Sequence, residues 1–227
     1  MEGILLIDKP RGPSSFAVVA KARKLSGVKR IGHAGTLDPL ASGLLVLCVG
    51  RSYTKLAGSL TDCDKTYETV IRLGISTTTD DSEGEVLKEC STAGLTKNQI
   101  LQSLEQFRGR ISQVPPQFSA IKIGGRRAYD MARKNTNFVI PAREITIFEL
   151  VVINISILEI RLRIHCSKGT YIRSLARDLG AALGVGGFAQ EIRRIASGKL
   201  LVSDAIKLED LNQETLANCL LGAGQTH

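Results

Sequence analysis

The sequence predicts an α+β fold, and two observations carry that prediction. Residues 65–75 and 158–166 alternate apolar and polar side chains with the period of a strand. Between and around them lie separate helical stretches with recognisable caps, and no internal repeat links strand to helix in a fixed order. A chain of 227 residues, 43% hydrophobic and 23% charged, has enough apolar side chain for a sizeable core.

In chain order, residues 3–8 read as a short strand, and Lys9-Pro10-Arg11-Gly12-Pro13 as a rigid connection. Ser14 or Ser15 then caps a helix to about Leu25, with Gly27 as its stop. Phe16, Val19 and Ala20 form its apolar face. Lys21, Arg23 and Lys24, followed by Lys29 and Arg30, are basic, and for these charges a solvated surface and an RNA contact are equally good readings. Residues 52–60 suggest a short helix. In residues 65–75, Tyr67, Thr69, Ile71, Leu73 and Ile75 share one face, with Tyr67 at the first turn, either in the core or where a core meets a cleft.

Residues 76–84 are polar and turn-like. Thr96 caps an amphipathic helix with Ile100, Leu101, Leu104 and Phe107 on one stripe, closed by Gly109. After Pro115-Pro116 the composition changes. Residues 117–143 carry Lys122, Arg126, Arg127, Arg133, Lys134 and Arg143 against one acid, Asp130, with Phe118 and Tyr129 interleaved. Such a stretch suits phosphates and exposed bases, and it has too few large apolar residues for a core, so it reads as an inserted arm. Residues 145–157 and 158–166 are strands. The turn at 167–173 leads into a helix with Thr170 as the expected N-cap and Leu175, Leu179 and Leu183 buried. Arg173 lies in that helix's first turn, where the macrodipole disfavours a cation and a carboxylate partner is expected. Asp38 is one such acid. Gly-rich residues 184–187, the pair Arg193-Arg194, a short strand near 199–202 and a last helix complete the chain.

Composition excludes several classes. A net charge of +8 and a pI near 9.4 favour a polyanionic partner. Five scattered cysteines without a CxxC pair argue against a zinc site and a disulfide framework, so no metal or redox chemistry is expected. No signal pattern and no apolar run of about 20 residues is present, which makes the cytoplasm the expected compartment.

The most informative stretch is GHAGTLDPLASGLL, residues 32–45. Gly32, Gly35 and Gly43 suit left-handed or crowded backbone. Pro39 restricts Asp38 to an extended conformation, on a stiff loop that runs into the apolar strand 44–49. Alone, the segment reads more simply as a turn with a capping aspartate than as a carboxylate held for chemistry.

Six motifs in order, GILLIDKPRG, GHAGTLDPLASGLL, DKTYE, VPPQFSAIKIGGRRAYDMAR, HCSKGTYIRSLARDLG and IRRIASGKL, resemble the TruB-type bacterial tRNA pseudouridine synthases. They cover the chain from about Gly3 to Leu211. The resemblance implies a pseudouridine synthase fold, a central mixed, largely antiparallel sheet with flanking helices around an RNA-binding cleft. The catalytic domain is expected over 1–211, including the arm 117–143; the tail 212–227 departs from the family, being too short for the PUA-type domain its members often carry.

The implied reaction is isomerisation of uridine-55 in the TΨC loop of tRNA, by base flipping, without metal or cofactor. The family's catalytic aspartate falls on Asp38, its active-site tyrosine on Tyr67 and the arginine that pairs with the aspartate on Arg173. The histidine that holds the remodelled RNA loop falls on His33, the pocket lysine on Lys65, and the aliphatic residue flanking uracil on Ile192, where leucine is usual. Lys9, Lys122, Arg126 and Arg127 complete the expected substrate contacts. The expected partner is tRNA alone, bound by a monomer with no membrane and no obligate protein partner. A tRNA-folding chaperone using the same cleft and a guide-RNA-dependent synthase subunit are the alternatives.

Overall fold

Apolar runs without polar alternation mark strands covered on both faces. Two of them build the centre of the first of two structural units, Met1–Glu68 with Ile192–His227. In the computed structural model, which describes residues 1–119, 121–123, 126–127, 131 and 138–222, the chain opens with β1 (Gly3–Lys9) and α1 (Ser15–Ser26). It continues through β2 (Ile31–His33) into β3 (Ser42–Val49). β1 and β3 pair antiparallel from Gly3 opposite Val49 to Lys9 opposite Gly43. Every residue from Leu44 to Val49 is fully buried, each large side chain contributing about 1.5–3 kcal/mol by leaving water.

Helix α1 has the expected ends. The Ser14 hydroxyl accepts from the Ala17 N–H, and Gly27, at φ 70°, returns its N–H to the Arg23 carbonyl. Its buried face is Ser15, Val18, Val19 and Ala22 rather than Phe16, Val19 and Ala20. Phe16 is 69% exposed, because Ser15 is turned inward to grip the loop at Leu37 and fixes the helix's rotation. Two of its basic residues stitch the fold: Lys21 donates to the Leu208 carbonyl and Arg23 to the Ile31 carbonyl. The expected helix over 52–60 is two short ones, α2 (Arg51–Thr54) and α3 (Ala57–Thr61). They cover the cluster of Ile4, Leu6, Leu44, Val46 and Cys48 through Tyr53, Ala57 and Leu60.

Strand β4 (Lys65–Leu73) carries the chain into the second unit, Thr69–Glu191. There β5 (Ile75–Thr77) and β6 (Val86–Glu89) form a hairpin, and α4 (Lys97–Glu105) begins with a capping box between Thr96 and Gln99. β7 (Gly109–Gln113) follows, then the paired short strands β8 (Lys122–Ile123) and β9 (Arg126–Arg127) within the basic arm. β10 (Arg143–Ile155) and β11 (Glu159–Cys166) are antiparallel neighbours, and Ile160, Leu162, Ile164 and Cys166 are buried as their alternation requires. α5 (Ile172–Ala182) buries Leu175 and Leu179. Strand order in this unit is β12–β4–β11–β10–β7.

β12 (Gly187–Ser197) returns the chain to the first unit, which ends with β13 (Leu200–Leu201), β14 (Ile206–Lys207) and α6 (Gln213–Asn218). Strand order there is β14–β1–β3–β12, parallel at both ends of that run and antiparallel between β1 and β3. Residues 212–222 fold as part of this unit. Leu216 is fully buried, α6 packs on α1, and Leu221 exchanges two backbone hydrogen bonds with Ile4. The mixed sheets and separate helices make the chain α+β.

Candidate active site

Asp38 is half-buried on the loop between β2 and β3, and the residues on either side of it are fastened. The buried Ser15 hydroxyl accepts from the Leu37 N–H and donates to the Leu37 carbonyl, both at 2.8 Å. The Pro39 carbonyl accepts from the Gly12 N–H at 2.8 Å and from the Lys9 ammonium at 3.4 Å. A turn closes from the Ala41 N–H to the Asp38 carbonyl at 3.1 Å. A carboxylate so mounted has a fixed origin, which is what positioning an acid to within a fraction of an ångström requires. Of the loop's glycines, Gly35 (φ 89°) and Gly43 (φ 97°) need their freedom. Gly32 does not: its φ is ordinary, and an added Cβ would meet only Thr54, at 3.8 Å.

Lys9, expected among the substrate contacts, is fully buried, and its ammonium also donates to the Pro10 and Pro13 carbonyls at 2.9 Å each. Its visible work is to hold the connection before α1 against the Asp38 loop. Lys65, 6% exposed, likewise donates to the carbonyls of Thr61, at 2.5 Å, and Cys63. Tyr67 is half-buried near the start of β4, in phase with the buried Thr69, Ile71 and Leu73. Ile192 is 7% exposed on β12.

His33 ends β2, and its Nδ1 is buried without a hydrogen-bond partner among the described residues. Burial, and secondarily the charge of Arg194, hold the imidazole below its ordinary pKa. A histidine depressed in this way takes up its proton more readily in the unfolded chain. Stability is therefore lost as pH falls below the unfolded value of about 6.5. Thermal melts from pH 7 to pH 5 should show a slope that His33→Gln flattens; identical slopes in both proteins would refute this.

Arg173, in the second unit, is 4% exposed at the first turn of α5. Its guanidinium donates to the Thr79 carbonyl at 3.1 Å and the Phe118 carbonyl at 2.8 Å, and Asp81 stands 3.4 Å away. Sequence spacing foresaw a carboxylate for Arg173 but not this one, because Asp81 sits in a polar loop that reads as a plain turn. Asp81 is itself held by the Thr79 hydroxyl and the Glu83 N–H. Its neighbour Asp80, at φ 59°, pairs with Arg177 at 3.0 Å while burial pushes its carboxyl above the usual range. The expected Thr170 cap is corrected: Thr170 donates to Ser167, and the N-cap is Tyr171, whose backbone N–H and carbonyl are both engaged by the Gln113 side chain. The residues Lys122, Arg126 and Arg127 lie on β8 and β9 of this unit.

Comparison with known proteins gives this geometry a context. Residues 23–172 match the TruB family pseudouridylate synthase N-terminal domain, and residues 173–221 the tRNA pseudouridylate synthase B C-terminal domain. Proteins named tRNA pseudouridine synthase B are similar over most of the chain. That of Corynebacterium jeikeium (strain K411) is 45% identical over 93% of this chain and 71% of its own. That of Clostridium kluyveri is 43% identical over 97% and 76%. Among solved structures, a Cbf5-Nop10-Gar1 complex matches with a TM-score of 0.71 at 30% identity over 92% of this chain. An H/ACA RNP bound to a substrate RNA containing 2′-deoxyuridine matches with a TM-score of 0.68 at 28% identity. The chain spans about half the length of those two structures' chains, 53% and 52%. Fold and family models together define a pseudouridine synthase. The chain belongs to the TruB family of pseudouridylate synthases.

Proposed function

We propose that this chain isomerises uridine-55 in the TΨC loop of tRNA to pseudouridine, with Asp38 as the catalytic carboxylate. Conversion of uridine to pseudouridine in tRNA follows from the family and from relatives 43–45% identical. The observation that supports the finer reading is the loop at residues 37–41, built to hold one acid still.

The chemistry needs such an acid. Uracil must leave C1′, rotate and rejoin through C5, so one group has to act while the glycosidic bond is open. A carboxylate serves by adding to C1′ or C6 or by removing the 2′ hydrogen. In this proposal Tyr67 stacks on the base and Ile192 flanks it. Arg173 supplies the counter-charge to Asp38, and His33, a neutral imidazole at pH 7, props the space left by the flipped base. Lys65 and Lys9 act from beneath, through the backbone they hold. The enzyme works in the cytoplasm as a monomer on bare tRNA, with no guide RNA and no protein partner.

A tRNA transcript carrying tritium at uridine C5 tests the reading. Release at one equivalent per tRNA is expected, and none when position 55 is changed; release that survives that change, or that requires an added RNA or protein, overturns it. The basic arm makes a separate prediction. Lys122→Ala, Arg126→Ala and Arg127→Ala together should weaken tRNA binding and lower the slope of log K against log salt by roughly 2–3, since each phosphate contact releases counterions. An unchanged slope would place the phosphate contacts elsewhere.

A further inference from the structure

The second arginine of the pair on β12 has a function the motif alone does not reveal. Arg194 is 1% exposed, and its side chain is in phase with the buried Ile192 and Ala196. β12 runs parallel to β3, with Arg193 opposite Ser42 and Arg194 opposite Gly43. Gly43 is there because nothing larger fits: a Cβ on it would lie 2.2 Å from the Arg194 carbonyl oxygen. From this point the guanidinium reaches under the Asp38 loop. Nε donates to the Leu44 carbonyl at 2.8 Å, Nη2 to the Gly35 carbonyl at 3.1 Å and Nη1 to the Thr36 carbonyl at 3.5 Å.

One planar group thereby ties the start of the loop to its end, with Asp38 between. A lysine ammonium is a point donor and cannot span those carbonyls in one plane. The neighbouring Arg193 behaves as an ordinary structural arginine, bidentate to Asp8 at 2.9 and 2.7 Å. Arg194 is different. Its hydrogen bonds run to backbone carbonyls, which offset the cost of desolvating a buried cation.

We infer that Arg194 is the positioning residue of the catalytic loop, setting through Gly35, Thr36 and Leu44 the place from which Asp38 meets the uridine. This rests on Asp38 being the catalytic carboxylate. Ser15, Gly12 and Lys9, from the start of α1 and the segment before it, fasten the loop at Leu37 and Pro39, and Arg194 fastens it at Gly35, Thr36 and Leu44 from β12.

The test is steady-state and single-turnover tritium release by Arg194→Met and Arg194→Lys beside the wild-type enzyme and Asp38→Asn. Both Arg194 variants are expected to lose about 10²-fold in kcat with KM for tRNA changed less than about threefold, the signature of an interaction spent on the reacting geometry. Because Lys keeps the charge, a similar loss in Arg194→Lys isolates the spanning geometry. Should Arg194→Met fail to fold, Arg194→Lys and guanidinium rescue of Arg194→Ala decide the matter. A wild-type kcat in Arg194→Lys, or a folded Arg194→Met that loses only melting temperature, overturns the inference. An inactive wild-type enzyme would instead overturn the proposed function, and an active Asp38→Asn the assignment of Asp38.

Discussion

Asp38→Asn is expected to abolish tritium release, by about 10⁴-fold or more, while the protein stays folded and still binds tRNA. The size is that seen when an enzyme loses its nucleophile or the partner that activates it. The fold should survive because the loop's fastenings use the backbone of neighbours: Leu37 with Ser15, Pro39 with Gly12 and Lys9, and the Asp38 carbonyl with Ala41. None of these contacts involves the carboxylate. An amide has nearly the same shape but neither the charge nor the nucleophilicity, so what changes is chemistry and not architecture. Tritium release, a filter-binding isotherm and a thermal melt on one preparation check all three statements. Turnover by the Asn variant within tenfold of wild type would remove Asp38 from the centre of the mechanism.

Asp81→Asn should be the most damaging single change to the second unit. Both Asp81 and Arg173 have side chains only 4% exposed, and Asp81 divides its two oxygens. Oδ1 accepts from the Thr79 hydroxyl at 2.5 Å and the Glu83 N–H at 3.0 Å, leaving Oδ2 for Arg173 at 3.4 Å. An asparagine can keep its oxygen on Thr79 and Glu83 only by turning its NH₂ toward the guanidinium, donor against donor. The alternative rotamer sacrifices the other two contacts. Removing one partner of a buried pair costs about 3–5 kcal/mol, or roughly 6–20 °C in melting temperature for a chain of this size. Activity should fall too, since Arg173 loses part of its mounting. Denaturant titration of Asp81→Asn, with Arg173→Met as the reciprocal variant, measures the cost; a loss below about 1 kcal/mol in both would mean the pair is not holding the loop at 78–84 against α5.

Much of the fold was legible because periodic burial and capping are local. Ser14, Gly27 and Thr96 end their helices as their chemistry suggests, and the alternation in β11 places Ile160, Leu162, Ile164 and Cys166 inside. The candidate site was legible in a different way, through motif order, and Arg173 through its awkward place at a helix N-terminus. The failures share one cause. Thr170 had a better acceptor in Ser167, and α1 turned a different face inward because Ser15 answers to Leu37, 22 residues away. Arg194 could have been found: on a strand, Ile192, Arg194 and Ala196 fall in one phase, so period two alone buries the arginine.

The sequence by itself determined where most strands and helices run, the family, the basic character of the arm and which acid to propose. Tertiary structure alone decided what the buried cations bind. Lys9, Lys65, Arg173 and Arg194 are each buried and donate to backbone carbonyls. A buried cation is tolerated only where acceptors converge on it. For Arg173 and Arg194 those acceptors lie 55 to 159 residues away in the chain, a property of the folded path that no local pattern of side chains records.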